Sequence, residues 1–198
     1  MGIKDRINTA KFLIVNGHLN DALILILVAV AASSRKKFSR TDITTDGEAF
    51  KTFLKAGIKN ILYPGKDGDV NYRDGIKLTF SPENKKNWRT EHSIEDIIYE
   101  QYRCTFMHEG ELPPEVMFTG DNMPVREYIE VTLYDESTAT LAVTHDEVLV
   151  MSHNWLEVLI KVVEQAEINR DLFGPMPSHT ITPNNGEPKI IILGMKAG

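Results

Sequence analysis

Apolar residues recur at helical spacing from Ile3 to Val15, where Ile3, Ile7, Phe12 and Ile14 stand among charged neighbours. Asn16-Gly17 is a stop signal, because glycine readily takes the left-handed conformation that ends helices. Asn20 or Asp21 is the expected cap of a second helix running to about Phe38. That helix is apolar nearly all round in its first three turns and belongs at the centre of the fold. Thr41 to Thr45 is a polar link. Asp46 to Leu62 is a third helix, with Ala49, Phe50, Phe53, Leu54 and Ile58 as its core stripe. Tyr63 to Trp88, rich in Gly, Pro, Asn and Lys, reads as a long loop with a short strand within Gly75 to Phe80. Ser93 caps a helix whose apolar positions are Ile94, Ile97, Ile98, Tyr102 and Phe106. Gly110 stops it and Pro113-Pro114 confirm the break.

The period then changes. Ile129, Val131 and Leu133 alternate with Glu130, Thr132 and Tyr134, the signature of a strand with one buried face. Thr140 to Met151 reads as a second strand, joined to the first by a turn at Glu136 to Ala139. A last helix starts at Ser152 or Asn154 and carries Leu156, Leu159, Ile160, Val163 and Ala166. The Pro- and Asn-rich tail from Gly174 ends in Ile190-Ile191-Ile192-Leu193, a strand to pair with a sheet edge or a partner chain. The pattern predicts an α+β fold, mainly α: a bundle of four or five helices with a small antiparallel β-hairpin appended. It places a single domain at 1–173, the hairpin at about 127–151, and a partly extended tail at 174–198.

Composition narrows the partners. The net charge of -6 argues against coating nucleic acid with the general surface, so an RNA contact requires a local basic cleft. Arg35, Lys36, Lys37 and Arg40 are the best electrostatic candidates, although four cations at a helix C-terminus also simply suit the dipole. The single cysteine, Cys104, forbids an intramolecular disulfide and suits a reducing compartment. The longest apolar run, Ala22 to Ala32, is too short for a bilayer, which needs about 20 residues. The expectation is a cytoplasmic protein without membrane contact.

The six histidines include no pair at the three- or four-residue spacing that gathers metal ligands on a helix, so no metal and no cofactor is expected. There is no phosphate loop, dinucleotide fingerprint or nucleophile elbow. Asp67-Gly68-Asp69 reads as a turn, and Trp88 and Trp155 as packing anchors. The chemistry rests on Arg103 and His108. On an ideal α-helix they stand roughly 140° apart, yet His108 is in the last turn, where both could still reach one cleft. A histidine can take a proton from a 2′-hydroxyl or give one to a leaving 5′-oxygen. An arginine can hold a phosphate bidentately. The same residues also admit a structural reading: His108 as a cation at the helix end, and Arg103 paired with Glu100, Glu109 or Glu111.

The run Tyr102-Arg103-Cys104-Thr105-Phe106-Met107-His108-Glu109-Gly110 resembles the signature of the HEPN superfamily, an Arg followed after four to six residues by a His late in a helix. Asn20-Asp21-Ala22-Leu23, Arg35-Lys36-Lys37-Phe38 and Glu48-Ala49-Phe50-Lys51-Thr52-Phe53-Leu54 are similar to the early helices of bacterial members. The likeness covers about the first 110 residues. It implies a helical bundle, a homodimer across the signature helices and a composite cleft. For active members it implies RNA cleavage without metal, with Arg103 and His108 as the catalytic pair, in a toxin or defence component that meets a cognate antitoxin or other protein partner. Cys104 stands where catalytic members commonly carry Asn or Asp. That departure opens the alternative, a non-catalytic dimeric module binding a nucleotide or a protein partner.

Overall fold

The turn at Asn16-Gly17, with Gly17 at φ 78°, reverses the chain between α1 (Ile3–Val15) and α2 (Leu19–Lys37). The computed structural model describes residues 1–62, 77–79, 91–119, 125–132, 138–174 and 191–192. These form two units: 1–65 with 156–187, and 66–155 with 188–198. The fold is α+β and mainly helical, as the hydrophobic pattern predicts.

In the first unit, α1 buries Ile7 and Ala10, whereas Phe12 is 66% exposed. Phe12 follows Ile7 by five residues, which carries it roughly 140° round the helix and off the stripe. In α2 the cap is His18, not Asn20 or Asp21, which lie inside the first turn. Asp21 still opposes the positive end of the dipole. One side of α2 is buried (Ala22, Leu23, Ile26, Leu27, Ala29, Val30) and packs between α1 and α3 (Asp46–Leu62). The other side, with Ile24, Leu25 and Val28, is half-exposed. All five predicted core residues of α3 are buried.

Arg35 ties the end of α2 to the start of α3. It donates to the Asp46 carboxylate and to the carbonyl of Ile43 at 2.7 Å. The last helix, α6, is Trp155–Glu164. Beyond it come a short 3-10 turn (Glu167–Asn169) and one helical turn, α7 (Arg170–Phe173); the buried Asn169 between them donates to Ser33 Oγ (2.8 Å) and to the carbonyl of Val163 (2.9 Å). Lys11–Glu164 and Lys36–Asp171, both at 2.6 Å, add surface ion pairs. At such exposed positions solvent and salt screen most of the attraction.

The second unit holds the strands. β1 (Lys77–Thr79) pairs antiparallel with β2 (Glu91–Ser93). A five-stranded sheet has the order β3-β6-β5-β4-β7. It contains the predicted hairpin, β4 (Val125–Thr132) with β5 (Thr138–Thr144). The run Thr140 to Met151 is two strands rather than one. A turn at His145–Val148 separates β5 from β6 (Leu149–Ser152), closed by Thr144 N–H to the Val148 carbonyl at 2.9 Å. Neither Gly nor Pro marks this turn, and Glu147 supplies its left-handed residue at φ 58°. Successive residues Leu141, Ala142 and Val143 are all buried, so both faces of β5 are covered and no alternation shows in its sequence.

β3 (Val116–Thr119), absent from the sequence reading, runs parallel to β6. β7 (Ile191–Ile192) pairs with β4, placing the predicted tail strand on a sheet edge. Apart from β1, the predicted loop Tyr63 to Trp88, with Asp67-Gly68-Asp69 within it, lies outside the described residues, as does Leu133. Trp155 is fully buried. No helix among the described residues is long and apolar enough to cross a membrane.

Two substitutions test this packing. A Cβ on Gly57 of α3 would meet Val162 Cγ1 at 2.5 Å and its Cβ at 3.2 Å. On an open helix Gly→Ala gains about 1 kcal/mol. Here the overlap with a stiff β-branched side chain reverses the sign, and Gly57→Ala should destabilise by about 1–2 kcal/mol in denaturant unfolding. Val162→Ala in the same chain should recover part of that loss. Glu147→Gly should stabilise by about 0.5–1 kcal/mol, because glycine adopts positive φ without the penalty paid by an L side chain.

Candidate functional site

Ser93 Oγ accepts from the Asp96 amide at 3.3 Å and donates to its carboxylate at 2.8 Å, starting the helix as the sequence predicts. The element then changes form. One α turn, α4 (Ile94–Ile97), leads into a π-helical stretch, Ile98–Cys104, and a closing α turn, α5 (Thr105–Glu109). Gly110 ends it at φ 80°. The π stretch widens the helix just where the Arg–His run begins. Thr105 Oγ1 bonds back to the Glu100 carbonyl at 3.4 Å, five residues earlier. Nothing in the hydrophobic spacing announces this. π turns are rare and gather at functional sites.

Burial sorts the helix into two sides. Ile94, Ile97, Ile98, Gln101, Tyr102, Thr105 and Phe106 face the core. Tyr99, Glu100, Arg103 and Cys104 are half-buried, and Met107 and His108 are exposed. The outward residues fall into two rows at four-residue steps: Tyr99–Arg103–Met107 and Glu100–Cys104–His108. Arg103 and His108 therefore share the solvent side of one helix, in adjacent rows, although no hydrogen bond or ion pair joins them.

Tyr102 anchors this arrangement from below. Its ring is fully buried and its hydroxyl donates to the Met117 carbonyl of β3 at 2.9 Å. Burial pushes its phenol well above 10.0, the ordinary value. Beside it, Gln101 is 4% exposed and its amide nitrogen has no hydrogen-bond partner among the described residues.

Arg103 lies with its guanidinium carbon 5.4 Å from the Tyr99 ring centroid and Nη1 3.9 Å from Cys104 Sγ. Among the described residues it makes no ion pair, so the pairing with Glu100, Glu109 or Glu111 is not found. His108 occupies the last turn with no hydrogen-bond partner among them. Its position satisfies the helix-end reading, and nothing there orients its imidazole. The cluster from Arg35 to Arg40 is committed to its own unit. Arg35 holds Asp46, Lys36 holds Asp171, Arg40 lies 3.9 Å from Asp46, and Lys37 stands 5.3 Å over the Phe38 ring. The Lys36 ammonium holds the Asp171 carboxyl below its usual range. No group of three or more His, Cys, Asp or Glu among the described residues is placed to hold a metal ion.

Two residues here escaped the sequence reading. Tyr99 was legible in principle, four residues before Arg103. His153 was not: its Nε2 lies 3.3 Å from the Phe118 carbonyl and its ring packs edge-on to Phe118 at 4.6 Å, a contact that exists only once β3 lies beside β6.

The chain belongs to the Rv1289 family, whose model matches residues 2–174 and so spans the whole Arg–His helix. No curated protein and no solved structure matches it.

Tyr102→Phe keeps the ring and removes the tie to Met117, and should cost about 1 kcal/mol. The interior accommodates only the neutral phenol, so folding retains its proton. The stability this gives is complete below the ordinary phenol range and is lost as the pH rises through 10.0 and beyond. Thermal melts between pH 8 and 11 should therefore fall more shallowly for Tyr102→Phe than for the wild type.

Proposed function

For this member of the Rv1289 family we propose a HEPN-like, metal-independent endoribonuclease, acting in the cytoplasm as a toxin or defence component. Arg103 binds the scissile phosphate and stabilises its developing charge, and His108 moves the proton. The observation that carries this reading is Arg103: a half-buried guanidinium on the outward side of a π-helical stretch, without an ion pair among the described residues and steadied by the Tyr99 ring. A cation held this way is set up for an external anion.

Acid–base cleavage needs a proton acceptor and a proton donor, and one protomer offers a single imidazole on this helix. A two-fold homodimer across the Arg–His helices supplies the second.

A second reading has its own support. Cys104 Sγ, a weak hydrogen-bond partner, lies against the guanidinium, and no group among the described residues fixes the ring of His108. Both suit a dimeric module that binds a nucleotide or a protein partner without cleaving.

Cleavage of single-stranded RNA in excess chelator separates the two. The first reading expects products ending in 2′,3′-cyclic phosphate. His108→Ala should lower the rate by about 10²–10⁴-fold and Arg103→Ala by about 10²–10³-fold. A bismaleimide with a short spacer tests the dimer in the same samples, since Cys104 is the sole thiol and sits between Arg103 and His108. Covalent dimer without RNA cleavage would transfer the assignment to the binding module.

A further inference from the structure

We infer that Tyr99 is a base-stacking residue, so that the ligand of the Arg103 site is single-stranded RNA held by a nucleobase as well as by its phosphate. This rests on the phosphate-binding role given to Arg103 above. Tyr99 and Arg103 occupy one outward row of the helix, four residues apart, with the guanidinium carbon 5.4 Å from the ring centroid. Both are half-buried, so each keeps part of its surface open while its base is fixed by the helix.

A guanidinium lying on a ring is less free to fold away, and its donor edge stays available to a phosphate oxygen. In a single strand the base attached to a bound phosphate is unstacked and within a few ångströms of it. Among the described residues the π surface beside the cation is the Tyr99 ring. Aromatic rings and guanidinium planes are the two surfaces on which proteins stack exposed RNA bases. Met107, next in the row and 49% exposed, extends the apolar part of that surface. A duplex hides its base faces and offers only backbone to such a strip, so the pair selects single strands. The bland account of the same geometry is an i,i+4 surface pair that adds a few tenths of a kcal/mol to the helix. It predicts no effect on ligands.

The test compares three probes on the full chain by fluorescence anisotropy: a single-stranded RNA, the same strand carrying abasic sites, and a labelled inorganic polyphosphate. The variants are Tyr99→Leu, Tyr99→Phe and Arg103→Ala, with melting curves to confirm folding. Tyr99→Leu should weaken the intact RNA about tenfold or more, the size of one lost base stack, and weaken the abasic strand and polyphosphate by at most a few-fold, the smaller loss of a steadied Arg103. Tyr99→Phe keeps the ring and should bind like the wild type. Arg103→Ala should weaken all three probes.

If Tyr99→Leu binds intact RNA as the wild type does while Arg103→Ala does not, the stacking role is overturned and the phosphate reading stands. If Tyr99→Leu weakens all three probes alike, Tyr99 only seats the arginine, and the stacking role is again overturned. If Arg103→Ala binds all three unchanged, or the wild type binds none, the phosphate reading fails and takes the stacking role with it.

Discussion

A phenol taken out of water must find an acceptor, because an unmet hydroxyl in an apolar interior costs more than most single contacts return. Tyr102 meets that requirement at the Met117 carbonyl, which ties the Arg–His helix to β3. The bond fixes the helix against β3 in rotation as well as position. On the C-terminal side of this anchor the helix carries the next two residues, Arg103 and Cys104, round to the half-buried side. The orientation of the candidate site is thus set by an inward-facing residue that has no part in the chemistry. The π stretch works in the same sense. It changes the phase of the helix between Ile98 and Cys104 without interrupting its core side, which stays apolar from Ile94 to Phe106 apart from Glu95, Gln101 and Thr105.

Gln101 is three residues after Ile98 and four after Ile97, on the same buried side of the helix. Its amide nitrogen has no hydrogen-bond partner among the described residues. Leucine or methionine would suit the site better on packing alone. Sequences tend to break local rules where function sets the backbone, and this breach lies two residues from Arg103.

The legibility of the chain follows the range of the forces involved. Helices with a one-sided apolar stripe were read correctly: α3 buries all five predicted residues, and the Arg–His helix starts at Ser93 and stops at Gly110 as its capping chemistry requires. Phe12 is apolar but five residues from Ile7, so helical phase turns it out of the buried stripe. β5 and β6 merged into one strand because a strand covered on both faces loses its alternation, and because the turn between them is made by Glu147 instead of glycine. β3 was invisible: four residues that pair in parallel with a strand more than thirty positions on leave no local trace. Of the site, the identity of Arg103 and His108 was visible from their order in the chain. Their common outward side was not, since it depends on burial and on a π register that no periodicity encodes. The commitment of Arg35 and Lys36 to Asp46 and Asp171 was equally hidden, being a matter of tertiary partners.

The first unit is assembled from two separated pieces of chain, 1–65 and 156–187, and the sheet of the second takes its last strand from Ile191–Ile192. A ribosome delivers α1, α2 and α3 long before α6 and Asn169 exist to meet them, so Gly57 and Ser33 wait exposed while about ninety intervening residues are made. At typical elongation rates that interval lasts roughly five to twenty seconds. For that time the nascent chain carries an apolar helical surface with no cover of its own. The first unit cannot close until α6 and Asn169 have left the ribosome, and the sheet of the second waits for Ile191–Ile192, so the face of α3 around Gly57 stays without its α6 cover throughout that interval.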